Sequence, residues 1–510
     1  MNDRAHFNAS VLEAINKNKK FIFVHFDIGV RIQGAHHGVA SLVPIIKRHG
    51  FNISLIHMRY PEVVDDFTKK VLKEGPAIIG FTSNTNQFTF LQKYSNALAR
   101  DLAVLQIAGG VHPTLEPEET LRKTALHGVC IGEGEFPLDE LLTRISLKKD
   151  IITTPGFFWR DGKAIIKNRI PEPISDLSTL EFPDYSVFDR CSVINTEIER
   201  RLIVGKTNIK NRFAVMISRG CPYDCKYCCN AALKGATHSR YYYKLPPVEY
   251  AIRMLQQLQQ KYPENQSFGF DDDLLLVKES WFVSFASQYK EEIGLPYVLH
   301  GRAECITPVI VSALKESGCL CVQIGIESGD EAYRNEFLGR SPTNDFILEK
   351  CQLIKDAGIE LTTLNMIGLP FETEAQMRAT YEFNRSIAPD SGTCFFFRPY
   401  PKTSLYEFCR THDLLKSEEE ILAVPSNYAG PLIRMSRETT MTCLRMHFKI
   451  SIYFFTRILR FRCRKFLSDH RGIQKVYIFP YFILLIVTAL KVFCMDNLRE
   501  RFKMFRIQYK

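Results

Sequence analysis

Three cysteines crowd into one short loop of this 510-residue chain, at Cys221, Cys225 and Cys228. The apolar run 213–217 precedes them and predicts a buried strand, which a following glycine and proline break into a loop. Thiolates at the spacing Cys-x3-Cys-x2-Cys on an irregular loop can converge on one soft metal centre. Three ligands would leave one iron of a four-iron cubane free to bind something else. The spacing therefore predicts an iron–sulfur site with an open iron.

Two other interpretations of these cysteines stay open. A zinc site would need a fourth Cys or His at the spacing of a ribbon or finger. Buried structural thiols are common, although three of them on a Gly/Pro loop are not. Cys229 follows directly, and we expect its side chain to point elsewhere.

Composition is that of a globular protein with a large core, with 45% hydrophobic and 24% charged residues and a length that allows about three domains. The 15 cysteines show no disulfide framework, and the polar first residues do not resemble a signal peptide, which favours a reducing cytoplasm. The net charge of +10 belongs to the tail, because residues 431–510 hold 17 Lys or Arg and four Asp or Glu, leaving 49 and 52 elsewhere. This distribution does not favour nucleic-acid binding by the whole chain.

Residues 1–150 alternate short apolar runs with helical stretches. Strands are predicted at 21–26, 53–56, 77–82, 104–110 and 129–132, with a helix over 38–49. This order predicts a doubly wound parallel sheet, which binds ligands at the carboxyl ends of its strands, where Ser83, Gly109 and Gly110 lie. Because no Gly-x-Gly-x-x-Gly motif follows the first strand, a dinucleotide site is disfavoured.

A connector, residues 151–212, contains a predicted hairpin with Asp161-Gly162 at its turn. From 213 to 410 strands and helices alternate again. Five further strands are predicted at 267–270, 297–302, 321–327, 361–368 and 393–397, with helices such as 246–260 and 307–317 between them. Together with the strand before the cysteines, they predict a partial (β/α)6 barrel, whose chemistry would lie just past the strand ends.

Several polar residues follow those strands. A carboxylate directly after a buried strand costs solvation free energy unless it has a partner, which favours a function for Glu327. Asp272 lies in a run of three aspartates that could equally be a solvated turn. Arg302 could equally form a salt bridge with Glu304.

The cysteine loop, with an aromatic residue just before its third cysteine, resembles the cluster loop of the radical S-adenosylmethionine (SAM) superfamily, and the resemblance covers about residues 20–410. It implies a 4Fe-4S cluster on Cys221, Cys225 and Cys228 that binds SAM at its open iron. It also implies roles for other residues: Tyr227 would contact the adenine, Asp272 SAM or substrate, Arg302 the SAM carboxylate and Glu327 the ribose, and the turn from Gly368 would close the adenine end.

The segments 109–114 and 132–135 resemble the cobalamin-binding domain that often precedes such barrels, and 174–185 resembles the bridge between the two domains. This implies cobalamin near Ser83, Gly109 and Gly110. The chain lacks Asp-x-His-x-x-Gly, so no histidine is marked as a cobalt ligand, and His112 is expected to be a loop residue. A domain that keeps this fold but has lost cobalamin is the alternative.

The tail, residues 411–510, is predicted to be mainly helical. Residues 441–467 interleave apolar and basic side chains, and 476–490 carry no charge but fall short of the roughly 20 residues that span a bilayer. A basic amphipathic segment beside an apolar run is typical of an interfacial membrane anchor. A helical cap over the barrel is the other interpretation, and the two are compatible.

The resemblances together imply an enzyme of the group that includes the anaerobic magnesium-protoporphyrin monomethyl ester cyclase and the cobalamin-dependent methylases. The expected function is generation of a 5′-deoxyadenosyl radical from SAM and cobalamin-dependent methylation of an unactivated carbon. A radical-mediated cyclase or oxidative rearrangement is one alternative, and a non-catalytic or electron-relay iron–sulfur protein is another.

The expected partners are an apolar or lipid-like small molecule and an electron donor such as flavodoxin or ferredoxin, with no nucleic acid. The expected location is cytoplasmic, with peripheral contact at the inner face of the membrane through the tail.

Overall fold

Two parallel sheets follow one another along the chain, each flanked by helices. The computed structural model describes residues 12–13, 15–27, 36–58, 64–101, 104–189, 192–194, 204–205, 212–237, 242–417, 420 and 430–469. The predicted uncharged run 476–490 lies outside these residues.

The first sheet has eight strands in the spatial order β7–β6–β5–β4–β3–β1–β2–β8. They are β1 Lys20–Phe26, β2 Asn52–Met58, β3 Ile78–Thr82, β4 Leu105–Gly109, β5 Gly128–Cys130, β6 Phe157–Asp161, β7 Ala164–Lys167 and β8 Ser192–Ile194. Strands β1–β5 and β8 are parallel, and the β6–β7 hairpin adds antiparallel to β5. The sheet therefore continues past residue 150 and takes both of its edge strands from the connector.

Alternation of apolar side chains along β1 explains why this strand is central. Phe21 and Phe23 pack in one core, whereas Ile22, Val24 and Phe26 pack in the core on the opposite face of the sheet. Each such side chain contributes roughly 1.5–3 kcal/mol when fully buried. The helices around this sheet are α1 His37–Arg48, α2 Val64–Glu74, α3 Phe88–Asp101, α4 Val111–Leu115, α5 Pro117–Lys123, α6 Glu135–Ser146 and α7 Ser186–Asp189.

The second sheet has seven strands, and neighbours along the chain are neighbours in space. They are β9 Val204–Gly205, β10 Arg212–Val215, β11 Ser267–Phe270, β12 Tyr297–Gly301, β13 Cys319–Glu327, β14 Glu360–Ile367 and β15 Ser391–Phe396. Strands β10–β15 are parallel and form a curled half-barrel, so the predicted six-strand barrel is confirmed. Its helices are α8 Cys229–Ala236, α9 Val248–Lys261, α10 Glu279–Glu292, α11 Pro308–Glu316, α12 Glu331–Leu338, α13 Asn344–Asp356, α14 Glu374–Ile387 and α15 Ser404–Thr411.

One long helix, α16 Arg437–Asp469, forms most of the described part of the tail. Its residues Cys443, Met446, Ile450 and Phe454 are buried against β14, β15 and α14. The His447 ring lies 3.0 Å from the Cys394 carbonyl oxygen, and the Arg457 guanidinium donates to the carbonyls of Ala388 and Pro389. The helix therefore covers the last strand of the half-barrel. Among the residues described, no helix is both long and apolar enough to cross a membrane.

Candidate active site

The cysteine loop leaves the half-barrel directly after β10 and is held at both ends. Backbone hydrogen bonds join Arg219 to Lys244 in both directions, and the Cys228 amide donates to the Cys225 carbonyl at 3.0 Å. Gly220 has φ +74°, and a Cβ on it would lie 2.2 Å from the Tyr242 carbonyl oxygen, so the turn into Cys221 requires glycine. All three predicted cluster cysteines are free thiols.

Asp272 lies beneath this loop, with 1% of its surface exposed. Its Oδ1 accepts hydrogen bonds from the Ile217 amide at 3.0 Å and from the Ser218 hydroxyl at 2.5 Å. Burial raises the pKa of Asp272 to about 6 despite these donors. The hydrogen bonds that the structure gives Asp272 come from backbone amides and the Ser218 hydroxyl at the start of the loop, so a contact with SAM or substrate stays a prediction.

The other two aspartates also have protein partners. Asp271 Oδ2 lies 3.3 Å from His37 Nε2 at the start of α1, and the other ring nitrogen of His37 lies 2.9 Å from the Tyr185 hydroxyl. Asp273 hydrogen-bonds the side chain of Asn230. The solvated-turn interpretation therefore does not hold for the buried Asp272, whereas Asp271 and Asp273 are exposed.

Cys229 does not point away from the loop as expected. Cys228 is the N-cap of α8, Cys229 is its first residue, and their side chains hydrogen-bond to each other. Sequence adjacency alone therefore does not separate the two sulfur atoms.

Arg302 reaches the loop from the end of β12. Its guanidinium lies 3.7 Å from the centre of the Tyr223 ring, and Nη1 donates to Cys225 Sγ at 3.1 Å. Its Nε also donates to Glu304 at 3.2 Å, so the salt bridge considered from the sequence is present. Arg302 thus places a positive charge directly beside a predicted cluster ligand.

Glu327 adopts the left-handed backbone conformation, with φ +68°, at a β-bulge where β13 ends. Its carboxylate lies 3.3 Å from Arg340 Nη1 and accepts a hydrogen bond from Tyr227. Burial raises its pKa, and Arg340 opposes that shift. Tyr227, Arg302 and Glu327, which the sequence predicted as SAM contacts, therefore gather around the cysteine loop, joined by Arg340.

Gly368 begins the turn after β14. Its amide and that of Leu369 donate to Glu372 Oε2 at 2.7 and 3.2 Å, which closes the turn on itself. Leu369 packs in the same apolar cluster as Tyr227, so this turn borders the loop.

Ser83, Gly109 and Gly110 come together at the carboxyl edge of β3 and β4. The Ser83 amide donates to the Gly109 carbonyl at 3.2 Å, and a Cβ on Gly110 would lie 2.9 Å from the Ser83 carbonyl oxygen. His112 lies just beyond, 96% buried, at the start of α4.

A cavity of about 370 Å³ separates this edge from the half-barrel. Gly109, Gly110 and Gly132 line it from the first sheet, and Met216, Ser218 and Gly220 line it from the cysteine loop. The two predicted cofactor regions therefore border one space.

Two glutamates of the segment 132–135 form ion pairs with basic residues beside the cysteine loop. Arg219 lies 3.0 Å from Glu133 and 2.5 Å from Glu135, and Lys244 lies 2.8 Å from Glu133. Burial raises the pKa of Glu133, but Arg219 and Lys244 outweigh burial and hold it below its usual range. We refer to Glu133, Glu135, Arg219 and Lys244 as the bridging cluster.

The sequence pointed to Glu133 and Glu135 but not to their partners. Lys244, a partner of Glu133, and Arg340, the partner of Glu327, were not predicted. Neither belongs to a motif, and each is distant in the chain from the residue that it pairs with or follows an ordinary helix. A basic residue two positions before the first cysteine was the one local signal available.

Comparison with known protein families agrees with this geometry. Residues 215–383 match the radical SAM superfamily, and residues 29–142 match the B12 binding domain. The chain therefore contains a radical SAM domain over residues 215–383 and, before it, a B12-binding domain over residues 29–142.

Individual relatives point the same way. The chain is 26% identical over 357 residues to an uncharacterized methyltransferase of Pyrococcus horikoshii. The aligned residues cover 69% of this chain and 73% of the relative. It is 20% identical over 356 residues to the anaerobic magnesium-protoporphyrin IX monomethyl ester cyclase of Rubrivivax gelatinosus, covering 67% of this chain and 60% of that protein. The fold matches the methyltransferase TsrM of Kitasatospora setae, solved with cobalamin and a [4Fe-4S] cluster bound, with a TM-score of 0.60 at 13% identity over 77% of this chain and 75% of TsrM.

A radical SAM domain implies SAM and a [4Fe-4S] cluster as cofactors, and a B12-binding domain implies cobalamin. The residues present fit these groups. The loop offers three free thiols beside a cation, and the glycine-lined cavity meets a backbone edge where a side chain at position 110 would not fit. The chain is therefore an enzyme of the radical SAM class.

Proposed function

We propose that this enzyme methylates an unactivated carbon of a small molecule, using a 4Fe-4S cluster, SAM and cobalamin. The bridging cluster is the observation that carries the proposal. It ties the B12-binding domain to the residue two positions before Cys221 through contacts of 2.5–3.0 Å. Methyl transfer requires the two cofactor regions to face one substrate, and this contact holds them on either side of the shared cavity.

The cofactor-binding residues follow from the site. Cys221, Cys225 and Cys228 would hold the cluster, Ser83, Gly109 and Gly110 would border cobalamin, and Tyr227, Asp272, Arg302, Glu327 and Gly368 would serve SAM. When bound, the cluster and SAM supply the radical that removes a hydrogen atom from carbon, and cobalamin supplies the methyl group.

The chain's own side chains position and shield this chemistry. Arg302 stabilises negative charge on the sulfur of Cys225, because a guanidinium hydrogen bond to a thiolate is charge-assisted. Arg340 and Tyr227 hold the Glu327 side chain, so its carboxylate is already positioned before a ligand binds. The helices and the two sheets exclude water from a reactive centre.

Anaerobic reconstitution tests the radical step. Full-length protein supplied with iron, sulfide, dithionite and SAM should release 5′-deoxyadenosine, and the Cys225→Ala variant should release none. Cys229→Ser is the matched control and should retain activity, since the proposed cluster uses the other three cysteines. No 5′-deoxyadenosine from protein with an intact cluster would favour the electron-relay alternative.

Methylation and cobalamin need separate measurements. Protein produced with hydroxocobalamin should show a corrin absorption band, whereas a colourless protein would favour the interpretation that cobalamin has been lost. An extract of the source cells incubated with methyl-deuterated SAM should yield a product carrying the label on carbon.

A radical-mediated cyclase is the second candidate, because two magnesium-protoporphyrin cyclases are among the relatives. A product that lacks the methyl label but has gained a ring would support it.

We further propose an apolar substrate, a flavodoxin or ferredoxin as electron donor, and a cytoplasmic location in which the tail contacts the membrane surface.

A further inference from the structure

Two histidines and an aspartate lie together at the ends of β1 and β2, away from the cysteine loop. His25 and Asp27 are two positions apart, so their side chains leave the same face of the sheet. His57 is the direct partner of His25 in the parallel register of β1 and β2. The topology alone therefore brings all three side chains to one corner of the first sheet.

The side-chain contacts confirm this grouping. His57 Nε2 lies 3.1 Å from Asp27 Oδ2, and the rings of His25 and His57 are 5.0 Å apart. One ligand atom from each residue lies within 4.8 Å of the others. The His57 side chain is fully buried and that of Asp27 is 9% exposed, whereas His25 is half-buried.

His25 Nδ1, a ring nitrogen of the group, is buried and lacks a hydrogen-bond partner among the residues described. A buried polar atom left unpaired costs about 1–3 kcal/mol, so its presence beside a second imidazole and a carboxylate calls for an explanation. His36 lies close by, but it is occupied, because Nδ1 accepts from the Val39 amide and Nε2 lies 3.1 Å from the Thr82 hydroxyl.

The ligand chemistry suits a divalent transition ion. Imidazole nitrogen and carboxylate oxygen bind Zn²⁺ at about 2.0–2.2 Å, which places neighbouring ligand atoms roughly 3.3 Å apart in a tetrahedral site. The 3.1 Å between His57 and Asp27 matches that separation.

We propose that His25, Asp27 and His57 form a zinc site in the first sheet, with a fourth position open to water or a further ligand. One carboxylate and two neutral imidazoles leave the loaded site with a single positive charge. The ion would join the ends of β1 and β2 at the edge where the sheet binds ligands. The proposal does not depend on the proposed function.

Zinc content and X-ray absorption test the site. Full-length protein with its iron–sulfur cluster reconstituted should retain about one zinc after dialysis. The zinc absorption spectrum should contain nitrogen and oxygen neighbours without sulfur, which distinguishes this site from zinc on the cysteine loop. A Cys221→Ala/Cys225→Ala/Cys228→Ala variant should retain the same zinc.

Ligand substitutions give the decisive comparison. Because loss of an outer partner already costs about 10–100-fold in metal affinity, Asp27→Asn and His57→Gln should each weaken zinc binding at least about tenfold. His49→Gln is the matched control, since His49 pairs with Asp139 at 2.8 Å and has no third ligand, and it should leave zinc binding unchanged. If His57→Gln fails to fold, Asp27→Asn, which is nearly isosteric, still decides the question. Absence of zinc, a sulfur shell, or unchanged affinity in Asp27→Asn would overturn the proposal.

Discussion

Glu372 is a buried carboxyl group that the structure makes responsive to pH. It is 3% exposed and accepts two backbone hydrogen bonds in the turn that begins at Gly368. Burial raises its pKa to about 8, well above the ordinary value of 4.5 for a glutamate. The unfolded chain therefore ionises Glu372 at lower pH than the folded chain does, so this group destabilises the folded state progressively as pH rises from about 4.5 to 8.

Glu372→Gln removes this titration while keeping an oxygen to accept the two hydrogen bonds. The stability of the variant relative to the unsubstituted protein should therefore increase between pH 5 and pH 8, by an amount on the order of a few kcal/mol. Thermal unfolding across this pH range measures it. Glu374→Gln, at an exposed position on α14, should give a pH-independent difference.

The sequence predicted which residues belong to the site better than it predicted their interaction partners. Glu327 stands out because it ends an apolar strand, and the structure gives it the charged partner that such a carboxylate needs. That partner, Arg340, follows a helix of ordinary composition, and pairing between positions so far apart depends on the folded topology.

The bridging cluster is a charged contact between elements of the two domains. Arg219 is 24% exposed and Glu135 is 6% exposed, so removal of one partner leaves the other charge largely buried. Breaking a buried pair in this way costs about 3–5 kcal/mol, and the partial exposure of Arg219 places the expected cost at the lower end.

A double-mutant cycle with Arg219→Met and Glu135→Gln should therefore reveal a favourable coupling energy of about 2–3 kcal/mol. Thermal or denaturant unfolding of the four proteins supplies it. The exposed pair Arg378–Glu374 is the matched control and should show coupling below about 1 kcal/mol. Equal coupling in both pairs would mean that the bridging cluster is an ordinary surface contact.

Helix α16 docks on β15 at a position that only glycine permits. A Cβ on Gly392 would lie 2.3 Å from the Phe454 ring. Gly392→Ala should therefore destabilise the docked helix by about 1–3 kcal/mol, the usual cost of overpacking.

Phe454→Ala should be destabilising alone, yet the double variant should cost less than the sum of the two, because the ring no longer opposes the new methyl group. Gly235→Ala, where a Cβ would meet nothing within 4 Å, should cost little. Thermal unfolding and protease cleavage within α16 both report the effect.

The strands were predictable because apolar runs bounded by glycine and proline mark them. Two short strands, β8 and β9, have three and two residues and therefore no pattern to recognise. The hairpin turn was misplaced by one residue: it consists of Gly162 and Lys163, because Gly162 takes φ +59° and Asp161 still pairs with Ala164.

The packing of the basic tail shows which of its side chains are exposed enough to contact a membrane. The inner face of α16 is buried on the half-barrel, whereas Phe448 and Ile452 are 47% and 41% exposed beside Lys449. The inner face of this helix is thus part of the core, whereas its outer face carries apolar and basic side chains of the kind found in an interfacial segment.

Phe448→Ser/Ile452→Ser should therefore weaken binding of the full-length protein to anionic liposomes at low salt by about ten- to hundredfold, measured by sedimentation. The two half-exposed side chains together offer about 1.5–3 kcal/mol of burial, and each 1.4 kcal/mol is about a factor of ten in binding. Val309→Ser, which removes an exposed apolar residue from α11, is the control. Failure of the unsubstituted protein to sediment would contradict membrane contact through the tail.

Fold class and cofactors could be predicted from the sequence because both depend on local patterns, namely strand–helix alternation and the cysteine spacing. The arrangement between the domains could not, since it depends on His37 meeting Asp271 and on Arg219 meeting Glu133 across positions 86 or more apart. No motif in the chain describes the substrate.

The origin of the outer strands of the first sheet has a practical consequence for expressing its parts. Strands β7 and β8 close the two sides of that sheet, and both come from the chain after residue 150. A fragment ending at 150 would leave β5 and β2 with unpaired backbone groups on an apolar sheet, which is a template for edge-to-edge aggregation. A fragment that ends after Ile194 keeps both edges closed, so a workable cut lies about 40 residues further along than the strand–helix pattern alone would place it.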